Sequence, residues 1–384
     1  MSKSEFQSKL PNVGTTIFTE MSGLAIKTGA INLSQGFPEF EMPSFLKNKV
    51  NEAIEQGKNQ YSPADGNPDL QKQIAKLIEQ QYGCSIDASK MVTVTSGATE
   101  ALFVAINTLV VAGDEVIIFD PAYDSYEPAI ELAGGKCIHI PLLAPDYRVD
   151  WAQVAAAVTN KTKAIITNSP HNPTGTLLTK EDMLLLQKLV LDNQLYLISD
   201  EVYEFITFDN QQHESVYLYP RLFERSFVIS SFGKTFHCTG WKMGYCVAPE
   251  SFAAEYRKVH QFVTFCSSTP FQVGIAQMLE NNTEHISELP EFYQEKRDIL
   301  ANALAKSRFK VLPCLGTYFL LLDYSEISDK HDRDFCNWLT IEKGVATIPL
   351  SPFYQTPPDS KVIRLCFAKN EDTLIKAAEI LSQL

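Results

Sequence analysis

The sequence predicts an α/β protein whose large domain contains a mostly parallel β-sheet covered by helices on both faces. From Met91 onward, short runs of β-branched and apolar residues alternate with longer helical segments. The short runs are apolar throughout, which is typical of strands that are buried on both faces of a sheet. Polar residues follow several of these runs, and parallel sheets bind their ligands at the carboxyl ends of the strands.

The predicted elements follow one another in a regular order. Strands are predicted at residues 92–94, 115–119, 164–167, 196–199 and 227–229. Helices are predicted between them, at residues 99–111 and around 185–191. Each strand is short and each helix is longer, as expected for successive β-α units.

The last hundred residues have a different pattern. A helical segment at 289–306 is followed by strand-like segments at 317–322 and 362–367, which predicts a smaller α+β domain. We therefore expect three segments: residues 1–44, which pack with the small domain, a large domain at 45–280, and a small domain at 281–384.

Composition excludes several classes of protein. With 384 residues, 45% apolar residues and 21% charged residues, the chain has the composition of a globular protein. A net charge of −13 argues against nucleic acid or an anionic membrane as the main partner. No stretch approaches the ~18 apolar residues that span a bilayer, and residues 1–10 resemble no signal peptide. We expect a cytoplasmic protein.

The cysteine pattern predicts reduced thiols. The eight cysteines include no C-x-x-C pair and lie among apolar neighbours. A structural zinc site or a disulfide framework is therefore not expected, and no metal is predicted.

Lys234 is the most informative residue. The apolar run 227–229 leads into small residues and then into this lysine, so a strand delivers one amine to the end of the sheet. Such an amine can form a Schiff base with an aldehyde cofactor if desolvation or a nearby cation lowers its pKa. Asn172, Asp200 and Tyr203 follow other predicted strands in the same way.

Four motifs carry a resemblance to a known family. They are NSPHNPTG at 168–175, DEVY at 200–203, SFGK at 231–234 and RLCF at 364–367. In this order they resemble the class I/II aminotransferases, which are fold type I enzymes that use pyridoxal 5′-phosphate (PLP). The similarity runs from about Leu33 to the C-terminus. SQGFP at 34–38 and GWK at 240–242 are similar to the methionine/kynurenine aminotransferase branch.

The resemblance implies roles around the cofactor ring. Lys234 would hold the aldehyde and then move a proton from the substrate Cα. Asp200 would keep the pyridine nitrogen protonated, which the cofactor needs as an electron sink. Asn172 and Tyr203 would hydrogen-bond the 3′-oxygen, and Tyr123 would stack on the ring. Lys234, Asp200 and Tyr203 are the predicted catalytic residues.

The resemblance also implies a phosphate site. Gly97, Ala98 and Thr99 occupy a strand-to-helix turn, where backbone N–H groups can receive an anion. The other implied phosphate residues are Ser231, Lys242 and, from the neighbouring subunit of a homodimer with active sites at its interface, Tyr61. Most relatives have arginine where Lys242 stands, and a serine often precedes the lysine where this chain has Gly233. A lysine retains the charge without the bidentate fork of arginine.

The expected substrates are an amino acid and a 2-oxo acid. Arg364 would bind the substrate α-carboxylate, with Gly36 and Asn172 lining the same end of the pocket. Phe18, Phe37, Tyr123 and residues 348–350 suggest an apolar, aromatic pocket. We therefore expect ping-pong transfer from methionine, phenylalanine, tyrosine, leucine or kynurenine.

Other interpretations remain open from the sequence. The nearest is β-elimination of cysteine conjugates on the same scaffold, because fold does not decide the reaction. A PLP-sensing regulator would have a nucleic-acid-binding extension, which this acidic sequence does not show. A nicotinamide enzyme would have a G-x-G-x-x-G motif between a strand and a helix, and the sequence has none. Single residues also have structural interpretations. Asp200 would suit a helix N-cap or an acid in a loop, residues 172–175 would suit an ordinary turn, and Arg364 would suit an internal salt bridge.

Overall fold

The structure is a computed structural model that describes residues 7–384. Its strands are β1 (Ile31–Asn32), β2 (Val92–Thr95), β3 (Glu115–Asp120), β4 (Lys136–Pro141), β5 (Thr162–Asn168), β6 (Tyr196–Asp200), β7 (Ser226–Ser231), β8 (Gly244–Val247), β9 (Lys310–Val311), β10 (Phe319–Asp323), β11 (Val345–Ala346), β12 (Ile348–Pro349) and β13 (Val362–Cys366).

The α-helices lie between these strands and at both ends. They are α1 (Ile17–Thr28), α2 (Ser44–Glu55), α3 (Pro68–Tyr82), α4 (Ala88–Met91), α5 (Ala98–Leu109), α6 (Tyr126–Leu132), α7 (Trp151–Ala157), α8 (Lys180–Asp192), α9 (Pro220–Phe223), α10 (Phe232–Thr235), α11 (Glu250–Val263), α12 (Thr269–Asn281), α13 (Glu284–Leu304), α14 (Asp332–Trp338) and α15 (Glu371–Leu381). No helix among residues 7–384 is both long and apolar enough to cross a membrane.

The larger sheet has the strand order β2-β8-β7-β6-β5-β3-β4. Strand β8 is antiparallel to both of its neighbours, and the remaining pairs in this sheet are parallel. The predicted mostly parallel sheet is therefore confirmed. The five predicted strands of this sheet all form and are slightly longer than expected, whereas β4 and β8 were not predicted.

Alternate strand residues face two separate apolar layers. Ile117, Ile165 and Leu197 belong to one buried cluster, which also contains residues of α3, α8 and α12. Their neighbours Ile118 and Ile166 belong to a second cluster, with residues of α5, α6 and α11. Because successive side chains of a strand point to opposite faces, uniformly apolar strands require helices on both sides, as predicted.

The second part of the chain forms a four-stranded antiparallel sheet in the order β12-β13-β10-β9. Helices α13 and α15 pack on each other beside it. Strand β1 pairs in parallel with β11, so the N-terminal segment joins this part of the molecule. The boundaries at 44 and 280 stay a prediction, and residues 1–6 lie outside the described residues.

Close packing of α2 on α12 generates a stability prediction. A Cβ added to Gly274 of α12 would lie 2.3 Å from Val50 Cγ2 and 3.1 Å from the Val50 backbone nitrogen. We expect Gly274→Ala to destabilise the protein by about 1–3 kcal/mol, because the Val50 backbone cannot easily give way.

Gly23 of α1 is the matched control, since a Cβ there meets nothing within 4 Å. Gly23→Ala should raise stability by up to about 1 kcal/mol through helix propensity. Urea unfolding of the two variants measures the difference. Equal effects of both substitutions would contradict this account of the packing.

Candidate active site

A cavity of about 160 Å³ lies at the carboxyl ends of the strands of the larger sheet. Its walls contain all of the predicted cofactor residues except Tyr61, namely Gly97, Ala98, Thr99, Tyr123, Asn172, Asp200, Tyr203, Ser231, Lys234 and Lys242. Asn168 and Asp200 are direct register partners at the ends of β5 and β6. Residues that are far apart in sequence therefore meet in one cleft, as the strand pattern predicted.

Lys234 extends into this cleft from α10, the single helical turn that follows β7. Its Nζ donates to the Tyr318 hydroxyl at 3.0 Å, and that hydroxyl donates to the Gly36 carbonyl at 2.7 Å. Loss of solvent lowers the pKa of Lys234 to about 8, and the charges of Lys242 and Arg364 act in the same direction. The amine can therefore lose its proton near neutral pH, as a nucleophile or base must.

Asp200 is a buried carboxylate at the end of β6, with 3% of its surface exposed. The Tyr126 hydroxyl donates to its Oδ2 at 2.6 Å. Burial raises the pKa of Asp200 to about 6, and the Tyr126 hydrogen bond opposes this rise. A protonated ring nitrogen next to this carboxyl group would favour the ionised form. Asp200 caps no helix here, so the N-cap interpretation is wrong.

Two buried glutamates fix the turn that carries Tyr203. Glu201 accepts from Ser199 Oγ at 2.8 Å and lies 2.8 Å from His213 Nε2. Glu204 accepts from the hydroxyls of Tyr82 at 2.7 Å and Tyr245 at 3.1 Å. These contacts satisfy carboxylates that would be costly to bury alone.

Tyr203 itself is 2% exposed, and its ring meets the Tyr318 ring edge-on at 5.1 Å between centroids. Burial raises the pKa of the Tyr203 phenol. The hydroxyl therefore remains protonated at neutral pH and can donate a hydrogen bond in the cleft.

The turn before α5 forms an anion cradle. Gly97 has φ +81°, and a Cβ there would lie 3.2 Å from Lys242 Cε and 3.3 Å from Lys242 Nζ. Helix α5 begins at the next residue, so its free N–H groups face the same space as the Lys242 ammonium. Lys242 Nζ also lies 3.5 Å from Thr99 Oγ1. This arrangement suits a phosphate group.

Arg364, in the middle of β13, is 1% exposed. Its Nη1 donates to Asn172 Oδ1 at 3.0 Å and its Nη2 donates to the Ser34 carbonyl at 3.2 Å. Within residues 7–384 its Nε has no hydrogen-bond partner and no carboxylate lies within ion-pair distance. Burial lowers the pKa of Arg364 to about 10. The interpretation of Arg364 as part of an internal salt bridge is therefore wrong, and its guanidinium suits the carboxylate of a bound ligand.

The remaining predicted residues lie in different places. The Phe18 ring is 5.2 Å from the Arg364 guanidinium. The Gly36 carbonyl accepts a hydrogen bond from the Tyr318 hydroxyl, which in turn contacts Lys234 in the cleft. Phe37 is 44% exposed and packs against the Lys369 ammonium at 4.7 Å, so it has no described contact with Arg364. Tyr61 is 83% exposed and does not line the cleft.

Three residues near the site were not predicted from the sequence. Tyr126 orients Asp200, Tyr318 links Lys234 to Gly36, and Asn168 accepts the Asn172 backbone N–H at 2.8 Å. Tyr126 lies three residues after Tyr123, and this spacing is equally typical of one face of a core element. Tyr318 directly precedes β10 of the smaller sheet, and only the fold shows its contact with Lys234.

The donor set fits pyridoxal 5′-phosphate. Lys234 offers an amine with a lowered pKa, Asp200 offers a buried carboxylate without a cationic partner in the described chain, and the α5 turn with Lys242 offers an anion cradle. An aldehyde, a protonated ring nitrogen and a phosphate would satisfy these three features in one molecule.

Comparison with known proteins agrees with this geometry. The family model for aminotransferase class I and II matches residues 28–381. The chain is 53% identical over 378 residues to the methionine aminotransferase of Escherichia coli K12, covering 98% of both chains. It is 36% identical to a kynurenine–oxoglutarate transaminase of Dictyostelium discoideum, covering 97% of this chain and 94% of that one.

A solved structure of YbdL from Escherichia coli, described as having a methionine aminotransferase function, superposes with a TM-score of 0.98. It is 53% identical and covers 100% of both chains.

The lowered pKa of Lys234 generates a kinetic prediction. Because only the neutral amine attacks an aldehyde, the rate of PLP uptake by the cofactor-free chain should rise about tenfold per pH unit below the Lys234 pKa of about 8 and level off above it. Stopped-flow absorbance measures this rate. A rate that keeps rising to about pH 10, the value of an ordinary lysine, would contradict the desolvation argument.

Proposed function

Because the chain belongs to the class I and II aminotransferases, we propose that it transfers the amino group of an apolar or aromatic amino acid to a 2-oxo acid. The chain is a PLP-dependent transaminase, and the proposal concerns its substrates and the roles of its residues. Methionine, phenylalanine, tyrosine, leucine and kynurenine are the proposed amino donors. The methionine and kynurenine activities of the two relatives support this class.

The aromatic enclosure of Arg364 is the observation that carries the substrate proposal. Its guanidinium carbon lies 4.0 Å from the Phe319 ring centre, 5.2 Å from that of Phe18 and 5.7 Å from that of Phe353. Phe18 and Phe353 also contact each other, at 5.5 Å between ring centres. A substrate whose carboxylate binds Arg364 would place its side chain beside these rings, which favours apolar groups.

Charge next to this enclosure disfavours dicarboxylic substrates. Asp124 is an exposed residue beside this enclosure. Desolvation of its carboxyl group raises its pKa, and the charge of Arg364 opposes that rise. Among the described residues, the lysines lining the cleft are Lys234 and Lys242, both of which face the proposed cofactor. Arg333 lines the neighbouring cavity together with Phe353, and its guanidinium lies 3.7 Å from the Glu20 carboxylate. Among the described residues, the cleft itself therefore offers no free cation to a side-chain carboxylate, so aspartate would be a poor substrate.

The proposed chemistry divides among the residues of the cleft. PLP, when bound, carries the amino group and accepts the electron pair left at the substrate Cα. Lys234 Nζ takes the proton from the substrate Cα and later returns one, which its pKa of about 8 allows. Asp200, held by Tyr126, would keep the ring nitrogen of the cofactor protonated, and Arg364 would hold the substrate α-carboxylate.

Ping-pong order follows from a single cleft that serves both substrates. The first product, a 2-oxo acid, leaves before a second 2-oxo acid binds to the same Arg364. The relatives named above are aminotransferases, and no observation on this chain favours β-elimination instead.

We also propose a homodimer and a cytoplasmic location. Tyr61 contacts Phe265 at 5.3 Å, and both are exposed, as are Phe262 and Val263. This apolar patch lies outside the chain's own cleft, as expected for a residue that serves the neighbouring subunit. Sedimentation velocity tests the dimer, and a monomer would contradict it. The cysteines are free thiols, which suits a reducing compartment.

The substrate proposal predicts a preference for methionine over aspartate. We expect kcat/KM for methionine to exceed that for aspartate by roughly 100-fold, because a buried unpaired carboxylate is costly. Steady-state assays with a common 2-oxo acid acceptor measure the ratio. Equal or higher kcat/KM for aspartate would overturn the proposal.

Phe18 and Phe37 provide a matched pair for the same assay. Phe18→Ala should lower kcat/KM for methionine roughly 10- to 100-fold through lost apolar contact. Phe37→Ala should leave it nearly unchanged, because Phe37 packs on Lys369 rather than near Arg364. Similar losses in both variants would contradict the assigned pocket.

A further inference from the structure

A cluster of three different metal-ligand types lies outside the catalytic cleft. Cys137 and His139 alternate on the edge strand β4, so their side chains point to the same face of the sheet. Glu127 projects from α6, which covers that face. One ligand atom from each residue lies within 4.8 Å of the other two. Tetrahedral zinc spaces such atoms roughly 3.3–3.8 Å apart, and His139 Nε2 already lies 3.5 Å from Glu127 Oε1.

The imidazole of His139 is oriented for coordination. Its Nδ1 lies 2.9 Å from Asp120 Oδ1 and 3.1 Å from Asp120 Oδ2. A carboxylate at Nδ1 orients the ring so that Nε2 faces the cluster, the arrangement common behind metal-bound histidines. Asp120 is held in turn by the Gln355 backbone N–H at 2.9 Å.

The other nitrogen of His139 points into the cluster without a hydrogen bond. The side chain is only 9% exposed, and Nε2 lies 3.5 Å from Glu127 Oε1. No group of residues 7–384 meets hydrogen-bond geometry with Nε2. A buried polar atom without a partner is unusual in a folded protein and needs an explanation.

The electrostatic environment favours a cation. Two carboxylates flank the His139 ring, with Glu127 Oε1 3.5 Å from Nε2 and Asp120 Oδ1 2.9 Å from Nδ1. A divalent cation bound beside them would stabilise the Cys137 thiolate and release the thiol proton to solvent.

We propose that Glu127, Cys137 and His139 form a zinc site, with water as the fourth ligand. Sulfur, nitrogen and oxygen donors in one tetrahedral set suit Zn²⁺ rather than the hard ions Mg²⁺ and Ca²⁺, which take oxygen ligands. A cavity of about 300 Å³, lined by Asp120, Glu127 and His139 among others, gives the ion and its water a route from solvent. No metal was expected from the sequence, so this site departs from that expectation.

Zinc at this position would fasten α6 to β4. The first residue of α6 is Tyr126, whose hydroxyl holds Asp200 in the cleft. Bound zinc would therefore support one wall of the active site from outside the cleft. The proposal does not depend on the choice of amino acid substrate.

Cobalt titration of the PLP-loaded protein tests the site. After chelator treatment at pH 8, the chain should bind one equivalent of Co²⁺, with the visible bands of a four-coordinate ion and a thiolate-to-metal band. Zn²⁺ should displace the Co²⁺, and excess Mg²⁺ should not. Cys137→Ser should abolish the thiolate band and weaken binding at least about tenfold.

Two further variants complete the test. Glu127→Gln, at a side chain that is 45% exposed, should weaken Co²⁺ binding about tenfold while leaving the fold intact. Cys84→Ser, at a partly buried cysteine elsewhere, should bind Co²⁺ as the unmodified chain does. If circular dichroism shows that Cys137→Ser is misfolded, the Co²⁺ affinity of Glu127→Gln decides whether the site exists. Absence of stoichiometric binding, or binding unaffected in both ligand variants, would overturn the proposal.

Discussion

The alignment of β5, β6 and β7 is the constraint on which the site depends. Parallel pairing sets Asn168 opposite Asp200, and β7 continues the same edge toward Lys234. Because the strands are buried on both faces, their register is fixed by apolar side chains that cannot exchange faces without exposing the core. The amide, the carboxylate and the amine are therefore placed by hydrophobic packing, and no direct contact among them is needed.

Desolvation then sets the charges of these groups. The same burial lowers the pKa of Lys234 to about 8 and that of Arg364 to about 10, and raises that of Asp200 to about 6. Each shift reflects a polar group that lacks a full partner within the described chain. PLP, through its aldehyde, ring nitrogen and phosphate, and the substrate, through its carboxylate, would offset the desolvation costs of these buried groups. Ligand binding is therefore coupled to the stability of the protein.

Much of this arrangement was predictable from the sequence. The apolar strands, the polar residues at their ends and the lysine after β7 are local patterns, and the structure places them in one cleft. Strand β8 was missed because Gly244–Val247 is short and follows a turn, and β4 was missed because it contains charged and polar residues. Contacts between distant segments, such as Tyr318 with Lys234, have no local signal. The contact of Phe37 with Lys369, 332 residues away in the chain, likewise has no local signal.

The central claim is that one desolvated amine, on Lys234, moves the proton at the substrate Cα. The most direct measurement is exchange of the methionine α-proton with deuterated solvent in the absence of an acceptor 2-oxo acid. Lys234→Ala should slow this exchange by about 10⁴-fold, whereas Lys258→Ala, at an exposed lysine, should match the unmodified chain. Exchange at the unmodified rate in Lys234→Ala, with PLP still bound, would contradict the account.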